Sequence, residues 1–176
     1  MTQHFETVLS CDRHLKWPAL DGLEQVLMVL CGVCLAGFTA SVLADVVTRE
    51  AGRPWLWLQE VTSAFFTYGI FCGTAVATRR NDHLYLSAMT EAMGGRTRSV
   101  LEVFNRGVVA LVGVAMVVFG WQNFMQGFGS FRMPSMTPIA YLYWPIPVCG
   151  ALVALFSVEQ IVNGLRHGFA PLPAPA

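Results

Sequence analysis

Charge is what this chain has least of. Only 12% of its residues are Asp, Glu, Lys or Arg, against roughly 25% in a soluble domain, while 55% are hydrophobic. So few charges cannot solvate a globular surface, which excludes a soluble protein. Acidic and basic residues balance at eleven each, so there is no basic stripe of the kind nucleic-acid binding needs. Histidine is scarce and badly placed for ligation: His4, His14, His83 and His167 all fall outside the apolar segments. Axial ligands for a haem held between spans are therefore missing, and the absence of a His/Asp/Glu cluster argues against a catalytic metal. Neither a Ser-His-Asp set nor a glycine-rich phosphate loop is present. No apolar run precedes Val26, and Glu6, Asp12, Arg13, Lys16 and Asp21 crowd the start. That start does not read as a cleavable signal, and the first span is expected to act as an uncleaved anchor.

What is present is four apolar segments, about 25–47, 55–77, 103–124 and 138–162. Each is long enough to cross a ~30 Å hydrocarbon core as a helix of ~20 residues. The expectation is an all-α integral membrane protein of four transmembrane helices with short interfacial amphipathic segments. A cytoplasmic or interfacial segment occupies 1–24, a four-helix membrane domain 25–162, and a Pro- and Ala-rich disordered tail 163–176. Lys and Arg set orientation. One side collects Arg13, Lys16, Arg79, Arg80, Arg96, Arg98 and Arg166, and the other Arg49, Arg53 and Arg132. Seven against three, with Arg106 left aside inside span three, places both termini in the cytoplasm. Leu84, Ala88 and Ala92 recur at a spacing of four, which predicts a short interfacial helix ended by Gly94-Gly95. Phe5, Val8, Leu9, Trp17 and Leu20 form a weaker amphipathic pattern, interrupted by Pro18.

The stretch from Trp55 to Leu86 carries the most information. Glu60 lies near one end of its span, and Arg79, Arg80 and His83 cluster just past the other. A carboxylate near the membrane needs a partner, a wet cavity or an interfacial position. For Glu60 two readings stand: an interfacial residue paired with Arg49 or Arg53, or a polar contact to a partner subunit. A transported-ion site fits less well, because one carboxylate near a helix end is not a midplane site and no inverted repeat is visible. Asp45, four residues before Arg49, forms an i,i+4 pair. Arg79 and Arg80 are expected to snorkel to anionic lipid headgroups and fix orientation. His83 heads the interfacial helix and is placed to cap it or hold it to a neighbouring loop.

Close helix approach in lipid relies on small residues. Gly32, Ala36 and Ala40 lie four apart on span one, and Gly69, Gly73 and Ala77 on span two. Both rows are expected seams, within the subunit or against a partner chain. Pro145 and Pro147 should kink span four. The segment 127–138, rich in Gly, Ser and Pro, reads as an irregular outer loop, and 52–55 as a tight outer hairpin. Cys31 and Cys34 form a Cys-x-x-Cys pair and raise an enzymatic alternative, a thiol oxidase passing electrons to quinone. Their place near the middle of span one, where thiolates are hard to form, favours packing.

Taken in order, the elements resemble the small membrane subunit (DctQ-like) of tripartite ATP-independent periplasmic (TRAP) transporters. The resemblance rests on Trp57 to Glu60 opening span two, Gly73-Thr74-Ala75, Arg79-Arg80, His83-Leu84, and Pro147 after Tyr141, Tyr143 and Trp144. Gln59 and Ser87 depart from it, standing where family members often carry acidic residues. The resemblance implies a non-enzymatic scaffold without a cofactor. It would brace a large multi-span permease subunit for sodium-coupled uptake of an organic acid or related solute delivered by a periplasmic substrate-binding protein. The setting is the bacterial inner membrane. On this reading Trp57, Glu60, Gly69, Gly73, His83 and Pro147 are candidate partner contacts.

Overall fold

A computed structural model describes residues 16–80 and 96–168, with the side chains of 96–98 and 167 outside that description. After a 3-10 turn at Pro18–Leu20 come α1 (Asp21–Glu50), α2 (Leu58–Arg80) and α3 (Arg96–Gly127). Two-residue strands β1 (Phe131–Arg132) and β2 (Thr137–Pro138) then precede α4 (Ala140–Tyr143) and α5 (Pro145–His167). Four helical stretches are long and apolar enough to span a membrane, as the sequence predicts. The expected helix at 84–93, the Phe5, Val8 and Leu9 part of the N-terminal pattern and residues 169–176 of the tail lie outside the described residues. Residues 163–167, expected as the start of a disordered tail, instead continue the last helix to His167, while Trp17 and Leu20 flank and end the 3-10 turn.

The helices run past the apolar segments because their ends are polar and paired. α1 begins at Asp21 rather than Gln25, with Asp21 and Glu24 in its first turn, where the positive end of the helix dipole favours carboxylates. It stops in a Schellman motif. Gly52 takes φ +70°, its N–H donates to the Arg49 carbonyl at 3.0 Å, and that of Arg53 to Thr48 at 3.0 Å. Pro54 follows and cannot extend the helix. The span-four prolines do not kink a helix interior. Pro145 opens α5, where a missing N–H removes no intrahelical bond, and the short α4 leads into it. The loop expected to be irregular contains a small antiparallel pairing, Phe131 with Pro138 and Arg132 with Thr137.

Packing runs in series: α1 against α2, α2 against α5, and α5 against α3. Small residues set two of these contacts. Gly69 and Gly73 face α1, where an added Cβ would meet Cys34 at 3.3 Å and the Cys31 sulfur at 3.4 Å. Between α3 and α5 the approach is closer. A Cβ on Gly150 would lie 2.7 Å from the Gly113 carbonyl oxygen, and one on Gly120 3.0 Å from the Pro147 ring. Gly113, Gly120 and Gly127 recur at seven, the repeat of a left-handed helix seam. The core cluster includes Ala75, Val76, Cys149, Val153 and Phe156, so α5 is the buried centre of the molecule. The row Gly32, Ala36 and Ala40 is exposed.

Candidate functional site

The polar centre of the chain is Arg79, whose side chain has no exposed surface. A buried guanidinium must satisfy all its donors, and here every nitrogen is engaged. Nη1 donates to the Leu20 carbonyl at 2.9 Å and to Glu24 Oε2 at 2.6 Å. Nη2 reaches the Trp17 carbonyl at 3.0 Å and Asp21 Oδ1 at 2.9 Å. Nε faces Glu159 Oε2 at 3.4 Å, and the guanidinium carbon lies 5.5 Å from the Phe156 ring centre, a cation–π distance. Glu159 is equally enclosed, with a side-chain exposure of 0%. It also accepts the Trp17 backbone N–H at 2.5 Å, while the Trp17 indole donates to Asn163 Oδ1 at 2.9 Å. Arg80 completes the pairing on Glu24 at 2.8 Å.

Gln160 extends this node to the remaining helices. The last four carbonyls of a helix lack intrahelical donors. Gln160 Nε2 supplies two of those on α2, donating to the Thr78 oxygen at 2.9 Å and the Arg79 oxygen at 3.1 Å. Its own oxygen accepts from Arg106 Nε at 3.1 Å, and Arg106 also pairs with Glu102. One hydrogen-bonded network therefore threads all four spans. Three guanidinium groups pair with four carboxylates within it, so it is built to hold helices in register in a medium of low dielectric.

The sequence-predicted residues fall differently from expectation. Arg79 does not snorkel to headgroups: its guanidinium is enclosed and paired with carboxylates. Arg80 pairs with Glu24. Glu60 pairs with neither Arg49 nor Arg53; it accepts bonds from the Ser135 hydroxyl and, at 3.3 Å, the Ser135 N–H. It thereby ties the β1–β2 loop to the start of α2. The Asp45–Arg49 pair forms as expected, at 2.9 Å. Gly69, Gly73 and Pro147 make contacts within the chain, whereas Trp57 is exposed and stacks on Trp55 at 5.8 Å. His83 lies outside the described residues. Cys31 and Cys34 sit within α1, where Cys31 contacts the Gly69 carbonyl at 3.6 Å; all four described cysteines are free.

Sequence reading passes over Asp21, Glu24, Glu159, Gln160 and Arg106. The available signal was the presence of Glu159 and Arg106 inside predicted spans, where an ionisable residue marks a function or a buried partner. Arg106 has a local partner in Glu102 one turn before it, but nothing local pairs Glu159, whose partner Arg79 is 80 positions away in sequence.

The charged and amide groups of the four spans therefore face one another, and no group of three metal-ligating residues is present among those described. A family model described as tripartite ATP-independent periplasmic transporters, DctQ component, matches residues 38–167, and the chain belongs to that family of TRAP-transporter small permease subunits. It is a family of transporter components, not of enzymes, and its tripartite system implies a large permease and a periplasmic binding protein as partners. The chain is 24% identical over 155 residues to the sialic acid TRAP transporter small permease protein SiaQ of Vibrio cholerae, covering 84% of each. It is also 22% identical over 136 residues to the sialic acid TRAP transporter permease protein SiaT of Haemophilus influenzae. That match takes in 76% of this chain and spans only 22% of SiaT.

Proposed function

We propose that this chain braces the large permease subunit of a sodium-coupled TRAP system in the bacterial inner membrane. The transported solute is an organic acid or related small solute delivered by a periplasmic binding protein, and the names of the relatives make sialic acid the first to try. Both termini lie in the cytoplasm, so the Arg79 node sits at the inner face and the Glu60 latch at the outer one. The observation that carries this reading is the network around Arg79. It pairs the charged groups of four spans with one another, which suits a rigid brace better than a solute path. The exposed row Gly32, Ala36 and Ala40 on α1 supports a partner helix on that face, since small residues allow close approach.

Co-expression with a large TRAP permease subunit from the same organism tests the proposal. The two should co-purify in mild detergent. Proteoliposomes holding both should take up sialic acid only with the binding protein outside and an inward sodium gradient. A chain that purifies alone and stable beside its co-expressed neighbour would overturn the bracing role. Uptake indifferent to sodium would overturn the coupling. Uptake of other small carboxylates but not sialic acid would reassign the solute.

A further inference from the structure

A groove of about 320 Å³ opens on the side of α5 between α2 and α3. It follows α3 from Arg106 to Met116. At about 1.5 Å per residue that is roughly 15 Å, the depth of one leaflet of a ~30 Å hydrocarbon core. Its walls change character along this length. Thr78 and Gln160 lie at the Arg79 end, Ser157 one turn deeper, and beyond them Val109, Val112 and Val153 make the lining apolar.

Ser157 is the informative residue. It is 1% exposed, and its hydroxyl has no hydrogen-bond partner. Six other span hydroxyls behave differently: those of Thr39, Ser41, Thr62, Ser63, Thr67 and Thr78 each donate to a carbonyl three or four residues back. That is the usual way for Ser or Thr to satisfy itself in a membrane helix. Ser157 lines the groove instead, and a buried donor left unmade is costly.

We propose that this groove is a phospholipid site, holding one acyl chain of a diacyl lipid from the leaflet at the Arg79 end. The polarity gradient matches such a lipid, with glycerol esters toward Thr78, Ser157 and Gln160 and the tail running inward past Val112. An ester carbonyl oxygen would accept the Ser157 hydroxyl. An apolar side chain of a partner helix would fill the inner half but leave that hydroxyl unsatisfied. The inference needs only membrane residence and goes beyond the bracing role.

The test uses the full-length chain alone, delipidated in detergent and titrated with phosphatidylethanolamine or phosphatidylglycerol, with bound lipid counted by native mass spectrometry. One lipid should bind, and the two headgroups show whether the glycerol esters suffice or phosphate charge contributes. Val112→Trp should abolish binding by filling the groove. Ser157→Val should weaken it about fivefold, the worth of one hydrogen bond. Val109→Phe provides a second filling variant should Val112→Trp fail to keep its helical circular dichroism. Absence of bound lipid on the wild-type chain, or equal binding by the filled variants, would overturn the proposal. So would a crosslink from Val112→Cys to the large permease in the assembled complex, which would make the groove a protein interface. Because binding is read on the isolated chain, its failure leaves the bracing role untouched, and failure of co-purification leaves the lipid site untouched.

Discussion

The two ends of the span bundle use carboxylates in opposite ways. At one end Glu24, Asp21 and Glu159 surround a wholly enclosed Arg79, and the bonds tie together segments far apart in sequence. At the other, Glu60 holds a single loop through Ser135, next to a β1–β2 tip whose Met133 is 78% exposed. Charge alone does not distinguish the two ends; enclosure does. In low dielectric an ion pair is strong and an orphaned partner is expensive, whereas an exposed carboxylate has water as an alternative. The Arg79 end is therefore a structural lock. The Glu60 end is an adjustable tether.

The sharpest way to break this contrast is Arg79→Leu. It removes the Arg79 cation from Asp21 and from the enclosed Glu159 and leaves Glu24 with Arg80 alone, and loss of one partner of a buried pair costs about 3–5 kcal/mol. Thermal melting in detergent should show a collapse of the folded yield, with Arg79→Lys intermediate because an ammonium cannot make the same fork of bonds. A variant as stable as the wild type would mean that the node contributes nothing.

Gln160→Leu comes next. It uncovers two carbonyls at the end of α2 and a donor on Arg106, and should cost about 1–3 kcal/mol. Hydrogen exchange should show the last turn of α2 loosening, whereas unchanged protection there would deny that Gln160 caps that helix.

Breaking the exposed pair by Asp45→Asn should cost at most about 0.5 kcal/mol, the value of a surface i,i+4 pair. That small effect should vanish in high salt, while the Arg79→Leu defect should persist, since screening reaches exposed charges and not enclosed ones. Equal salt sensitivity at both places would erase the distinction.

The gentlest prediction concerns Glu60→Gln. The subunit should stay folded with an unchanged melting temperature. Amides 130–138 should exchange faster, and complex yield or uptake should fall. Normal exchange, yield and uptake together would remove any role for the tether.

Much of this was legible in the sequence, and the reasons are physical. Apolar runs report helices that must satisfy their backbone within lipid, so all four spans were visible. Their ends were misjudged by a few residues, as at Asp21, because a helix continues through polar turns when those turns find partners. The Gly69–Gly73 row announced a seam without saying that α1 fills it. Gly113, Gly120 and Gly127 carried a similar signal on α3. The Asp45–Arg49 pair was legible because its partners lie one turn apart.

By itself the sequence determined the class of the protein, the number and approximate limits of its spans, and the scarcity of residues that could do chemistry. All of these follow from composition and short-range periodicity, which lipid imposes turn by turn. Only the tertiary structure decided that Arg79 is a lock and not a membrane anchor, and that Glu60 reaches Ser135. It also decided that Ser157 faces an apolar groove without a partner. Each of these depends on which distant helix lies alongside, and therefore on where a charge or hydroxyl meets a partner, a groove or water.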